Sequence, residues 1–254
     1  MHDAIARALA SAGVIAPEVE AAALITIAGR DGRDLDELVR RRVAGEPFAW
    51  VVGRTRFCGI DLLVDPGVYV PRPQTEALAL RAVELLPPEG AAIDLCTGTG
   101  AIAVVLRSHR PTSRVVATDI DPAAIGCARR NGVDAYVGDL DAPLPEELKG
   151  RADVLTAVVP YVPTDRLHLL PRDALAYEPR HALDGGDHGT AFLLRVTELA
   201  PRWLRPGGAL LAELGGDQAA TVDPALRENG FTDVTVLRDD DGADRGIEGR
   251  STTR

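Results

Sequence analysis

Ile93-Asp94-Leu95-Cys96-Thr97-Gly98-Thr99-Gly100-Ala101-Ile102-Ala103 reads as an apolar strand running into a glycine turn and then into a helix. Gly98, Gly100 and Ala103 fit the pattern G-x-G-x-x-G/A, in which small residues let the backbone approach a ligand closely. Asp119 follows 19 residues after Gly100, at the end of the next strand, where an acid accepts hydrogen bonds from ribose hydroxyls. That acid distinguishes the stretch from a plain strand-to-helix turn. Two cofactor classes use this geometry. A dinucleotide sets its pyrophosphate on the helix N-terminus, where free amides and the helix dipole favour an anion. S-adenosylmethionine brings a cationic sulfonium and a zwitterionic amino acid instead. Asp94, just before the turn, would repel a pyrophosphate and face a cation, which points to S-adenosylmethionine. An Asp94 that merely stabilised the turn would leave the dinucleotide open.

Outward from this stretch, strand and helix alternate. Strands are expected at Ala91–Leu95, Arg114–Asp119, 135–137, 153–159 and 209–214, with helices at Ala101–His109 and 121–131. Alternation of this kind implies an α/β fold, a mostly parallel sheet with helices on both faces. Asp121-Pro122 reads as a helix cap and first helical residue. Asp139, in Gly138-Asp139-Leu140 after the third strand, is placed to reach an adenine amino group. The polar, glycine-rich segment 239–249 reads as a loop, and Glu213 either as a site acid or as a strand terminus.

Toward the N-terminus, the first 46 residues read as helices, with Ile5, Ala8, Leu9 and Ala12 on one face and Val19, Ala22, Ala23 and Ile27 on another. A third helix opens at Asp34, with Glu37 completing a capping-box pattern and Leu35, Leu38, Val39 and Val43 at helical spacing. Arg40-Arg41-Arg42 on that helix reads as a solvated face. Residues 54–71 change to short apolar runs, including Ile60 to Val64 and Val68-Tyr69-Val70, broken by Gly59 and Asp65-Pro66-Gly67, the pattern of a hairpin linker. The expected division is a helical unit at 1–53, a hairpin linker at 54–71 and an α/β unit at 72–254.

The 254 residues are 46% hydrophobic, 26% charged and only 4% aromatic, so the core must be mostly aliphatic. A net charge of −10 argues against holding a nucleic-acid backbone through bulk charge. Cys58, Cys96 and Cys127 are too few and too scattered for a disulfide framework or zinc knuckle, and the five histidines lack metal-ligand spacing. No run is long and apolar enough for a signal peptide or a membrane span. The expectation is a reduced, cytoplasmic protein with no metal, no membrane and no direct nucleic-acid partner.

Several segments together match a known pattern. They are Arg41-Arg42-Val43-Ala44-Gly45-Glu46-Pro47, Val70-Pro71-Arg72-Pro73-Gln74-Thr75-Glu76, Asp94 to Ala103, Pro160-Tyr161, Glu178-Pro179 and Ala182-Leu183-Asp184-Gly185-Gly186. On these the chain resembles, over nearly its whole length, the HemK-like protein-glutamine methyltransferases, which methylate the glutamine amide in the Gly-Gly-Gln motif of peptide-chain release factors. The resemblance implies a Rossmann-like S-adenosylmethionine-dependent methyltransferase domain preceded by a small N-terminal helical domain and a β-hairpin linker. It implies S-adenosylmethionine as cofactor, S-adenosylhomocysteine as product and a release factor as partner. Thr97, Gly98, Thr99 and Gly100 would surround the methionine part, with Asp94, Cys96 and Val158 beside it. Asp119 and Ile120 would hold the ribose, and Asp139 and Leu140 would flank the adenine. Pro71, Arg72, Pro73, Thr75, Pro160, Tyr161, Glu178 and Pro179 would meet the substrate. The family usually has glycine where Cys96 stands.

The catalytic segment departs from the family. Its hallmark Asn-Pro-Pro-Tyr reads Val158-Val159-Pro160-Tyr161 here. In the family the Asn carbonyl oxygen and a backbone carbonyl accept hydrogen bonds from the substrate NH2 and orient its nitrogen, a poor nucleophile unless positioned. Val158 has no acceptor, and one such bond is worth roughly 1–3 kcal/mol, or about 10- to 100-fold in rate. Three alternatives follow: a different small-molecule or peptidic acceptor, a cofactor-binding module with weakened catalysis, or a nicotinamide-dependent dehydrogenase. The last leaves the hairpin and Pro160-Tyr161 unexplained.

Overall fold

The computed structural model describes residues 1–252. Four helices, α1 (His2–Ser11), α2 (Pro17–Asp31), α3 (Leu35–Val43) and α4 (Phe48–Val52), gather around Leu9, Leu24, Leu38 and Val51, all fully buried. Pro17 opens α2 with its fixed φ, and Gly32, left-handed at φ 64°, ends it. Asp34 caps α3 by accepting the Asp36 and Glu37 amides. Glu37 turns outward to Arg40. The expected faces shift in register. On α2 the buried residues are Ala21 and Leu24, whereas Val19 is 70% exposed; on α3 Val43 is 41% exposed. Nor is Arg40-Arg41-Arg42 a solvated face. Arg42 is buried against Glu20 and the Glu46 carbonyl, and Arg41 pairs with Glu46. Two of the three guanidiniums staple the helices together.

Strands β1 (Arg54–Phe57) and β2 (Ile60–Leu63) form an antiparallel hairpin whose turn, Cys58-Gly59, has positive φ at both positions, as right-handed strand twist requires. The strand expected at 68–70 does not form. Val68 instead packs on Ala124 and Cys127, and its carbonyl accepts Trp50 Nε1 at 2.9 Å.

The main sheet has seven strands in the order β5-β4-β3-β6-β7-β9-β8, in which β8 is Phe231–Arg238 and β9 is Asp244–Ser251. Strands β3 (Ala91–Leu95), β4 (Arg114–Asp119), β5 (Asp134–Val137), β6 (Ala152–Ala157) and β7 (Leu204–Glu213) run parallel. Strand β6 stops two residues before the expected 159, which frees Val158 and Val159 for the turn described below. One face is covered by α5 (Thr75–Leu85), α6 (Ala101–His109) and α7 (Pro122–Arg130), the other by α9 (Ala191–Trp203) and α10 (Ala219–Glu228). A short helix, α8 (Arg172–Tyr177), lies in the long connection after β6.

The segment 239–249 corrects the loop expectation. Strand β9 (Asp244–Ser251) lies between β7 and β8 (Phe231–Arg238), antiparallel to both. Its Gly246, Ile247, Glu248 and Gly249 are all buried, so no alternation of apolar and polar residues marks it. A Cβ at Gly246 would meet the Ala212 carbonyl at 3.0 Å, and Glu248 is held by Arg81 from α5 at 2.7 Å.

The strand order reverses beside β3. The chain runs β3, β4, β5 toward one edge and then returns to place β6 on the other side of β3. Helices leaving β3 and β6 on opposite faces open a crevice at the strands' C-terminal ends, where α/β sheets bind ligands.

Candidate active site

A cleft of about 430 Å³ occupies that crevice. Its first wall grows from β3 and the turn into α6. Asp94, 1% exposed, accepts the Thr97 hydroxyl at 2.5 Å and the Thr156 hydroxyl at 2.7 Å, so its carboxylate ties the turn to β6. Burial raises its pKa to about 6, although both hydroxyls favour the charged form. Asp119, at the end of β4, accepts the Gly98 amide at 2.9 Å and the Asp121 amide at 3.0 Å. Burial raises its pKa against those two amides. Asp121 caps α7 through the Ala123 amide, as its sequence context suggests.

Backbone shape follows the same logic. Gly100 sits at φ 84°, and a Cβ there would come within 2.8 Å of Val133 Cγ2 and 3.2 Å of Ala128 Cβ. Glycine is needed both for the left-handed turn and for the approach of α6 to α7. Cys96 adopts φ 55° without being glycine, as does Leu140 at φ 47°. Asp139 and Leu140 reach the cleft, but Asp139 is paired at 2.7 Å with Arg195 on α9. Ile120 lines the cleft while 59% exposed, an apolar surface flanking Asp119.

The second wall is assembled from distant segments. Val158, Val159, Pro160 and Tyr161 leave β6 and line the cleft. Tyr161 donates its hydroxyl to Glu213 Oε1 at 2.7 Å, and Thr75, at the start of α5, donates to Glu213 Oε2 at 2.5 Å. Burial raises the pKa of Glu213, opposed by those two donors. The Tyr161 carbonyl accepts Gln218 Nε2 at 2.7 Å. Glu213, ambiguous in sequence, is the hub of this wall. Pro71, Arg72 and Thr75 line the cleft, whereas Pro73 is exposed and Pro73, Glu178 and Pro179 stand off it. Glu178 is buried and holds Arg72, whose Nη2 reaches both of its oxygens at 2.7 and 2.8 Å. The Arg72 guanidinium also stacks 4.7 Å from the Tyr69 ring centroid.

Residues not singled out from sequence also line the cleft: Tyr69, Gln74, His181 and Phe192 among them. His181 stands 3.6 Å from Asp121. A lone histidine in a loop gives no local signal; only the fold brings it here.

The donor set bears on what the cleft can hold. Asp94, Asp119 and Asp139 line it with Asp121 alongside, and among the described residues Arg72 is the only lysine or arginine that lines it. The Gly98 amide, which a pyrophosphate would need, is already given to Asp119. Thr99 is 1% exposed and its hydroxyl has no hydrogen-bond partner, an orphan on the cleft wall. An acidic site with an acid at a strand end and an apolar shelf fits a cationic nucleoside cofactor and disfavours a dinucleotide. Among the described residues no cluster of His, Cys, Asp and Glu is suited to a metal, and no helix is long and apolar enough to cross a membrane.

Comparison with known proteins bears on the same residues. Residues 60–140 match the family model described as the methyltransferase small domain. The chain is 38% identical over 219 residues to a release factor glutamine methyltransferase of Geobacter sulfurreducens, covering 84% of this chain and 76% of that protein. It is 38% identical to one of Mycolicibacterium smegmatis, covering 96% of this chain and 94% of that protein. Among solved structures, a methyltransferase from Pyrococcus furiosus is similar with a TM-score of 0.56 over 76% of this chain and 89% of that one, at 19% identity, a likeness of fold alone.

Proposed function

The chain belongs to the release factor glutamine methyltransferases, and from that premise we propose that its cleft moves a methyl group from S-adenosylmethionine to the glutamine amide of a release-factor Gly-Gly-Gln motif. The observation that carries the reading is the union of two walls in one cleft: an acidic glycine turn, and the Val158–Tyr161 turn held by Glu213. A small-molecule acceptor finds no support among the relatives.

S-adenosylmethionine, when bound, supplies an electrophilic methyl on a cationic sulfur; transfer breaks the S–C bond as an N–C bond forms, leaves S-adenosylhomocysteine, and releases one amide proton to water. Asp94 and Thr97 to Gly100 would lie around its methionine part, with Cys96 and Val158 close by. Asp119 and Ile120 would take the ribose, each Asp119 oxygen having a lone pair to spare beyond its amide partner. Asp139 and Leu140 would border the adenine.

On the acceptor side, the task is orientation. An amide nitrogen attacks only when its lone pair is turned out of conjugation toward the methyl carbon, so the protein must hold its two N–H groups. Backbone carbonyls of the Val158–Pro160 turn would take one of them, and the Tyr161 ring, fixed by Glu213, would pack against the substrate side chain. Pro71, Arg72 and Thr75 would border the entering peptide, with Glu178 bracing Arg72 from behind. Pro73, exposed at the rim, would meet the surface of the release factor. The helical unit at 1–53 would recognise the release factor, joined by the hairpin at 54–71 to the transfer unit at 72–254.

The test is transfer of labelled methyl from S-adenosylmethionine to an intact release factor, beside the same factor with its Gly-Gly-Gln glutamine replaced by alanine. Label entering only the first is expected. Equal labelling of both would place the methyl elsewhere, and labelling of neither would remove the reading.

A further inference from the structure

Val158 leaves the substrate amide short of a side-chain acceptor, and most polar side chains on that wall are already committed. Thr75 and Tyr161 both donate to Glu213, and Arg72 is engaged by Glu178. Gln74 differs. It lines the same cleft, is exposed, and sits at the N-cap position of α5 without using its side chain as a cap. It lies beside the Tyr161 phenol, close enough to act on it electrostatically.

The orientation of the Gln74 amide follows from the groups beside it. Glu213 receives protons from Thr75 and Tyr161 on its two oxygens, so the Tyr161 proton is given away and its oxygen can only accept. Of the two ends of the Gln74 amide, the NH2 is therefore the one that can face that oxygen. The relay from Thr75 through Glu213 and Tyr161 thus selects one of the two flips of the Gln74 amide and leaves Gln74 Oε1 as an open acceptor.

We propose that Gln74 Oε1 accepts a hydrogen bond from the NH2 of the substrate glutamine, supplying the acceptor that Val158 lacks. This rests on the glutamine-methyltransferase reading. Held between Gln74 Oε1 and a backbone carbonyl of the 158–160 turn, the amide has both N–H groups engaged. The same oxygen repels a carboxylate, so the site selects glutamine over glutamate. Thr75 and Glu213 are positioning residues that act through Tyr161.

The experiment compares the natural protein with Gln74→Leu, Val158→Asn and the double variant in methyl transfer to an intact release factor, with S-adenosylmethionine affinity measured for each. Gln74→Leu is expected to lower kcat about 10- to 100-fold, the effect of one lost bond to a buried polar group, with cofactor Kd changed less than about threefold. Val158→Asn should restore most of that loss in the Gln74→Leu background and add less than about threefold in the natural one, because two acceptors for one N–H are redundant. Activity of Gln74→Leu within threefold of natural overturns the proposal, as does a Val158→Asn gain equal in both backgrounds. A loss that Val158→Asn does not relieve assigns Gln74 to holding Tyr161 and overturns it too. Inactivity of the natural protein toward the release factor instead sinks the glutamine reading itself, and this inference with it.

Discussion

Asp94, Cys96, Thr97, Gly98 and Thr99 reach the cleft from one unbroken strand and turn, whereas the facing wall joins Thr75 to Glu213 across 138 positions of sequence and Arg72 to Glu178 across 106. The first wall is rigid for local reasons. Strand β3, the left-handed glycines and the N-terminus of α6 dictate its shape, and Asp94 and Asp119 use their hydrogen bonds to hold it. The second wall is rigid because buried acids hold it. Glu178 and Glu213, each enclosed, clamp residues from the start of α5 and the loop after β6. A locally built wall tolerates change at its partner; a wall assembled by buried charges loses its geometry when one member goes.

The largest effect expected from this contrast is on cofactor affinity. Asp119→Ala removes the carboxylate that holds the Gly98 and Asp121 amides, and with it the ribose contact proposed above. We expect the Kd for S-adenosylmethionine, by calorimetry, to rise about 100-fold, equivalent to about 3 kcal/mol. Glu213→Gln should leave that Kd within about threefold while slowing transfer. If both variants weakened cofactor binding alike, the two walls would be one coupled unit and the contrast would fail.

The first wall was legible in sequence and the second was not, for physical reasons. Strand, turn and helix between 91 and 109 are coded within a single window, so periodicity and two glycines place them. Glu213 was ambiguous because a strand-end acid gains its meaning from Thr75 and Tyr161, neither near it in the chain. Strand β9 was hidden because burial on both faces erased alternation and because Arg81, from α5, compensates Glu248. Gln74 stood in plain view within Pro71–Glu76, but a long polar side chain at a helix start reads as surface; the missing acceptor at Val158 is the signal that leads to it.

A second effect reads the buried charge of the first wall through pH. Burial raises the Asp94 pKa to about 6, above its unfolded value of about 3.9. A carboxyl whose folded pKa is raised gives its full stabilisation below the unfolded value and loses it as pH climbs through 6. Asp94→Asn, which does not titrate, should therefore gain on the natural protein by about 2–3 kcal/mol between pH 4 and pH 7, read from urea midpoints. A flat difference would mean that Thr97 and Thr156 hold the ionised carboxylate as well as water does, and that this wall carries no buried-charge cost.

The smallest effect, at Cys96 with Leu140 as its reference, tests the claim that the first wall is local in origin. Cys96 and Leu140 both occupy left-handed backbone at the cleft, at φ 55° and 47°. For a residue with a Cβ that conformation costs roughly 1 kcal/mol, which glycine avoids. Leu140 is 3% exposed and belongs to the core, so packing outweighs its strain and Leu140→Gly should destabilise by about 2–4 kcal/mol. Cys96 is smaller and only partly buried, so strain relief and lost packing nearly cancel and Cys96→Gly should raise stability by at most about 1 kcal/mol. Thermal midpoints of the two variants should move in opposite directions. A drop for both would show that the turn is held by what its side chains touch, which would make the first wall a product of tertiary packing like the second.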